Sequence, residues 1–295
     1  LGRPVHFVDD DADADQRAEN ALAEIARSLG FKHIAFQYEP IAAALHYEQS
    51  VQTEEIVMIV DIGGGTSDFS ILRVSPKRAR ALDRTGDILA TGGLRLGGTD
   101  FDRLLSLADV MPTLGYKAAT KGGSGTMPNH YFLDLATWHK INTLYVPRTL
   151  TDIKAMRHEI DHPELMDRLA RVIGEKSGHA IAMRVESGKI ALTEAEAARI
   201  QLSDLTGGPN PMARRDRFDH VSETALGRIG SVMMDTLSRA GNPQIGTVFL
   251  TGGSAQMPSL RAMVRQNLPD VTLSSGDMLG SVGTGLALQA RHLFA

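Results

Sequence analysis

The chain contains no cysteine, which excludes disulfides and thiolate zinc sites. That absence fits a reducing compartment. Aromatic residues make up 5% of the sequence, and Trp138 is the only tryptophan. No run of about 18 apolar residues offers a membrane-spanning helix, and no signal peptide opens the sequence. Charge of neither sign dominates: the formal net charge of −4 implies no broad basic surface for nucleic acid. What remains is an ordinary globular composition, 42% hydrophobic and 22% charged over 295 residues, enough for one large domain or two lobes. Residue 1 is Leu although the chain holds 12 Met, which leads us to expect a piece of something longer.

Strand and helix signals alternate along the chain, so the class is α/β. The pattern predicts short strands at 5–8 and 34–36, an acidic loop at 9–15, and a helix over 16–29 stopped by Gly30. A helix is predicted over 41–48. Strands at 56–61 and 68–74 flank a glycine loop, and a further strand falls within 81–92. Residues 115–130 read as loop and 131–185 as mostly helical. Residues 217–239 form a second long helix candidate. A strand at 247–250 leads through Gly252-Gly253 to a helix beginning at 257 or 258, and 282–293 is the closing helix.

The most informative stretch is Asp61-Ile-Gly-Gly-Gly-Thr-Ser-Asp68. Apolar residues carry the chain to Asp61, placing that carboxylate at the end of a buried strand. Gly63, Gly64 and Gly65 remove every Cβ and permit backbone geometries closed to other residues, so that successive N–H groups can cradle an anion. A carboxylate beside a phosphate cradle requires a cation between them, and Mg²⁺, which keeps most of its waters, suits that bridge. The competing reading is a plain hairpin turn, but such a turn needs one or two glycines rather than three flanked by Asp. A second turn, Thr247-Val-Phe-Leu-Thr-Gly252-Gly253-Ser254, could bring backbone close to a flat ligand, though alone it is a common α/β feature. A third glycine pair lies in Leu96-Gly97-Gly98-Thr-Asp100-Phe-Asp102.

Other motifs carry less. His158-Glu159-Ile-Asp-His162 matches a zinc-protease pattern, but Pro163 disfavours the single continuous helix that chemistry needs. Asp11-Ala-Asp-Ala-Asp15 begins like a calcium loop yet has Gln16 and Leu22 where Gly and Glu are required, so a helix-capping role fits better. Gly188-Lys189 has Met183 where a Walker loop needs glycine. Arg214, Arg215 and Arg217 form a short solvated basic patch. Trp138 reads as core, with a partner contact as the alternative.

Taken together, the motifs resemble the ATPase domain of the heat-shock protein 70 (DnaK-like) family, within the actin and sugar-kinase superfamily. Glu39-Pro40-Ile-Ala-Ala-Ala resembles the family's Glu-Pro-x-Ala-Ala-Ala helix, and residues 61–68 its second phosphate loop. Residues 96–102 resemble its Leu-Gly-Gly-x-Asp-Phe-Asp segment. Glu186-Ser-Gly-Lys189-Ile-Ala-Leu-Thr193 is similar to its nucleoside helix, residues 248–254 to its adenosine loop, and residues 277–283 to its closing segment. Tyr131-Phe-Leu-Asp-Leu-Ala-Thr-Trp138 looks like the YegD-like bacterial branch, whose members lack a separate peptide-binding domain.

The resemblance implies an actin-like, ribonuclease H-like fold of two lobes. Residues 1–60 would be the remainder of an incomplete first lobe. Residues 61–275 would form the second, with a helical subdomain at about 97–217, and 276–295 would close back onto the first. It implies ATP or ADP with Mg²⁺ as ligands. Asp61 would face the metal through water, Glu39 and Asp68 would help hold metal and attacking water, and Thr66 with Gly63, Gly64 and Gly65 would hold phosphates. Gly97 and Gly98 would lie on the hinge side. Glu186 would accept from ribose hydroxyls, Lys189 and Thr193 would line the adenine side, and Gly252, Gly253, Ser254 and Gln256 the opposite wall, with Asp277 nearby. From the residues alone, Glu186 and Lys189 could equally be an exposed helix pair. Gln256 and Ile190 stand where the family has arginines, a loss of about 1 kcal/mol of adenine stacking each.

The family's first phosphate loop and catalytic Lys have no counterpart here. The expectation is therefore an ATPase only in full-length form, with this chain binding ATP poorly and hydrolysing it negligibly. An exposed first-lobe edge would allow self-association. The implied role is a cytoplasmic chaperone with client or co-chaperone partners. The alternatives are a small-molecule kinase of the superfamily or a structural actin-like filament protein.

Overall fold

The computed structural model describes residues 1–4, 7, 11–48, 51–81, 84–123, 125–275 and 281–294. In chain order the strands are β1 (Gly2–Arg3), β2 (Gln37–Tyr38), β3 (Glu55–Ile62), β4 (Ser67–Val74), β5 (Ile88–Leu94), β6 (Ala197–Arg199), β7 (Met212–Arg214), β8 (Thr247–Thr251) and β9 (Thr272–Ser275). The α-helices are α1 (Ala12–Ser28), α2 (Glu39–Glu48), α3 (Gly98–Leu105), α4 (His130–Leu135), α5 (Pro147–Met156), α6 (Pro163–Gly174), α7 (Gly178–Ala191), α8 (Ser203–Thr206), α9 (Arg215–Arg239), α10 (Pro258–Asn267) and α11 (Ser281–Phe294). The class is α/β, as read from the sequence. The chain divides into two compact units. The first holds Leu1–Arg95, Ile229–Ala255 and Ala262–Ala295; the second holds Leu96–Arg228 and Gln256–Arg261.

The first unit is built on a five-stranded mixed sheet in the order β5-β4-β3-β8-β9. β3 pairs antiparallel with β4 and parallel with β8, so it is a central strand. That position explains its composition: Val57, Met58, Ile59 and Val60 are all buried because both faces of β3 are covered. Strand alternation sends Val57 and Ile59 to one face, where they join Leu72, Val74 and Phe249 against Ile41 and Ala44 of α2. The alanines of α2 let a second helix come very close. A Cβ on Gly285 of α11 would collide with the carbonyl of Ala42, so only glycine fits this crossing. On β5, a side chain at Gly92 would likewise strike Thr236 of α9.

The acidic stretch expected as a loop over 9–15 is partly helix. Asp11 caps α1, its carboxylate accepting from the Ala14 N–H at 2.8 Å. Asp13 and Asp15 fall in the first turn, where the helix dipole favours them. This is the capping role that outweighed calcium. Arg3 then ties β1 to α1 through ion pairs with Asp15 and Glu19. The strand expected at 5–8 lies mostly outside the described residues. Its neighbour expected at 34–36 instead forms at Gln37–Tyr38, in parallel register with Gly2–Arg3. A strand is defined by its partner, and only there do the two segments align.

At the C-terminal end of α2, a buried ion cluster joins three segments. The Arg84 guanidinium donates to both oxygens of Glu48 at 2.7 and 2.8 Å and to Asp87 at 2.5 Å. Glu48 also accepts the Ser75 N–H at 3.0 Å.

The second unit is helical, with one small antiparallel hairpin, β6–β7. Phe101, Leu105, Phe132, Ile141, Leu169, Val172 and Ile181 are among its fully buried side chains. Gly178 opens α7 where a Cβ would press on Ile141, Tyr145 and Leu135 at 2.7–2.9 Å. Residues 115–130 are mainly turns, as expected of a loop, with isolated bridges Ala119–Thr126 and Thr120–Ile160. Trp138, expected in the core, is instead 48% exposed and meets the ring of His179 edge-on at 4.9 Å. The zinc-protease pattern is broken as its Pro163 required: His162 is the N-cap of α6, and His158 lies in the turn after α5. Among the described residues, no helix is long and apolar enough to cross a membrane.

Candidate functional site

The same alternation that sends Val57 and Ile59 toward α2 sends Asp61, two residues on, to that face at the C-terminal end of β3. The register then decides its neighbours. Asp61 stands opposite Asp68 on β4 and opposite Thr251 on β8, and Asp68 in turn faces Gly93 on β5. Two carboxylates therefore sit directly across an antiparallel pair, an arrangement that costs stability. Glu39, the first residue of α2, completes the group. Its carboxyl is raised by burial and by the charge of Asp68. Asp61 is pushed up to about 6, chiefly by burial, then by Asp68 and Glu39. All of this lies within the first unit.

Two glycines make room for these acids. A Cβ on Gly93 would stand 2.9 Å from Asp68 Oδ1. One on Gly252 would stand 2.6 Å from Asp61 Oδ1 and strike the Ile62 carbonyl. Gly252 also has φ +85°, a conformation that suits glycine.

The 63–65 loop is the tip of the β3–β4 hairpin. Gly63 N–H donates to the Thr66 carbonyl at 3.0 Å, and Thr66 Oγ1 donates to Asp68 Oδ2 at 2.8 Å. Gly64, Gly65 and Thr66 are exposed, and a Cβ built on Gly64 or Gly65 would meet nothing within 4 Å. None of Gly63, Gly64 and Gly65 is left-handed, which corrects the expectation that they supply unusual backbone geometry. What they supply is bare, open backbone beside Asp61. Ser254 is buried and Gly253 exposed in the short 3-10 turn after β8. Among the described residues no three acidic or histidine side chains enclose a metal ion directly.

In the second unit, Gly97 and Gly98 are buried at the start of α3. The Gly97 N–H donates to Asp100 Oδ2 at 2.9 Å, which caps the helix. On α7, Glu186 is exposed, and Thr193, just past its end, donates back to the Ile190 carbonyl at 2.7 Å. Lys189 is not part of an exposed pair. It is buried, its Nζ 2.9 Å from Asp102 Oδ1 and 3.1 Å from the Gly98 carbonyl. Gln256 is half-buried in the same unit. Asp277 lies outside the described residues. Asp102 and the facing positions Gly93 and Thr251 were not singled out from the sequence: the glycine and threonine follow from strand register, and Asp102 from a contact 87 residues away along the chain (189 − 102).

Comparison with known proteins now adds to this geometry. Residues 10–104, which include α1, α2, the hairpin and β5, match the MreB/Mbl protein family. The chain is 27% identical to chaperone protein HscA of Pectobacterium carotovorum over 94% of its own length and 35% of that protein. It is 28% identical to HscA of Yersinia pseudotuberculosis, covering 94% of this chain and 33% of the relative. For the HscA homolog of Delftia acidovorans the figures are 25% identity, 95% and 35%. Over nearly its whole length the chain is similar to these HscA chaperones. It spans about a third of the length of the curated relatives it matches.

The match to HscA extends through both units, so it embraces α7 and the turn after β8 as well as the carboxylate row. The MreB/Mbl match stops at residue 104, near the end of α3.

Proposed function

We propose that this chain is the nucleotide-binding part of a heat-shock protein 70-type chaperone, taking ATP or ADP with Mg²⁺ and coupling ATP turnover to lobe closure in the full-length protein. The single observation that carries this is the Asp61–Asp68 pair beside the bare hairpin at 63–65. A fold keeps two opposed carboxylates, one of them raised to about 6, where a cation makes them useful. Mg²⁺ would reach Asp61 through its water shell, since no all-protein cage exists among the described residues. Bound there, it would neutralise charge developing on the transferred phosphoryl group.

The residues of the chain then divide the work. The side-chain-free backbone at Gly63, Gly64 and Gly65, with the Thr66 hydroxyl, would hold the phosphates. Asp68 and Glu39 would orient metal-bound and attacking water. On the nucleoside side, Glu186, Thr193, Gly252, Gly253, Ser254, Gln256 and Asp277 are the assignments, with Lys189 behind Glu186 on α7 and Gly97 and Gly98 at the hinge. The division into a first lobe at 1–60, a second at 61–275 and a closing helix at 276–295 belongs to the same reading. So do client or co-chaperone partners and a cytoplasmic setting, which the lack of cysteine suits.

The match of residues 10–104 to the MreB/Mbl family favours one second reading, a polymerising actin-like protein. Sedimentation with and without Mg-ATP separates the two: ATP-dependent polymer sinks the chaperone reading. The direct test is calorimetric titration of Mg-ATP into wild type and Asp61→Asn. The expected result is weak binding, lost by about tenfold or more in the variant. Equal affinities would remove the Asp61–Asp68 pair from the site.

A further inference from the structure

Lys189 is the most deeply committed cation of the second unit's candidate residues. Its side chain is 9% exposed, and Asp102, at 2.9 Å, is 18% exposed. The ammonium also donates to the Gly98 carbonyl at 3.1 Å, so its donors are directed at the opening turn of α3. Next to it, a Cβ on Gly188 would stand 3.0 Å from Ile200, so α7 is closely packed there as well. Glu186, one turn back along α7, acts on Asp102 with like charge, while Lys189 acts with opposite charge. Removing the ammonium would leave a buried carboxylate facing a second acid.

We propose that Lys189 is a positioning residue, a strut that Asp102 and the Gly98 carbonyl hold in place, and that it fixes α7 to the start of α3 rather than touching ligand. Its functional product is the placement of Glu186. That last step rests on the reading of α7 as a nucleoside-facing helix.

The test is a double-mutant cycle on this chain with Lys189→Met, Asp102→Asn and the pair together, read by thermal unfolding and by Mg-ATP titration. Lys189→Met is expected to lower the unfolding midpoint by roughly 5–15 °C, because it strands a buried charge. The double variant should recover at least half of that loss. Should Lys189→Met not fold, a folded double variant gives the same answer. Lys189→Arg, which keeps the charge, should lie between. In the titration, Lys189→Met and Asp102→Asn should weaken binding by the same factor, and the pair by no more than either. A Lys189→Met midpoint within about 1 °C of wild type, or additive midpoint losses, overturns the strut. So does affinity lost in Lys189→Met but kept in Asp102→Asn, the mark of direct ligand contact. If wild type binds no ATP, the nucleotide reading fails, and the unfolding cycle still decides the strut.

Discussion

Asp61 and Asp68 face each other across the β3–β4 pair, and each is drawn to that spot by the same strand alternation that builds the core beneath them. Because Asp61 titrates at about 6 in the fold against 3.8 for the free side chain, the folded state binds its proton more tightly than the unfolded state does. The sign follows: ligand-free stability is greatest below pH 4 for this group and falls by roughly 2–3 kcal/mol as pH rises through 6. Asp61→Asn should remove that slope and raise stability at pH 7. Denaturant titrations of both proteins between pH 4 and pH 7 check this. Metal competes with the same proton, so Mg-ATP affinity should rise across that window.

The hairpin tip offers a way to separate fold from ligand. Gly64→Ala and Gly65→Ala place a methyl in open space at backbone angles that L-residues tolerate. Each should leave stability unchanged or raise it by up to about 1 kcal/mol, through the unfolded chain. If the hairpin holds phosphate as proposed, each should nevertheless weaken Mg-ATP binding, because the methyl would stand in the ligand's approach. Stability and affinity falling together would show the glycines serving the fold alone.

Gly252 makes the opposite case. Its φ of +85° and its contact with Asp61 and the Ile62 carbonyl leave no room for a Cβ. Gly252→Ala should cost about 2–4 kcal/mol, combining left-handed strain with a displaced Asp61. Urea denaturation reads the loss directly.

The buried Arg84–Glu48 pair should behave as a unit. Arg84→Met leaves Glu48 charged at 0% side-chain exposure, for a loss of about 3–5 kcal/mol. Adding Glu48→Gln should restore part of it, and full additivity would show that the two act separately.

The long apolar strand β3, the helices α2, α9 and α11, and the glycine hairpin were all legible within a few residues, because each carries its own periodicity or punctuation. The paired two-residue strands β1 and β2 were not, since so short a ladder leaves no pattern and exists only where two distant segments meet. The exposed, mostly polar β9 and the β6–β7 hairpin went unread for the same reason. At the site, Asp61 and Asp68 could be found from spacing, but their opposition, and the roles of Gly93 and Thr251 beside them, required the register. The ion cluster of Arg84, Glu48 and Asp87 and the Asp102–Lys189 contact join residues whose local sequences look like ordinary surface charge.

The edge-on contact between Trp138 and His179 puts the chain's single indole in the helical unit, half open to water. Its fluorescence therefore watches that unit alone, while the sheet with its carboxylate row is dark to the same light. Melting curves taken by indole emission and by far-ultraviolet dichroism will coincide only if the two units come apart together, which makes this one side chain a built-in gauge of how tightly their unfolding is linked.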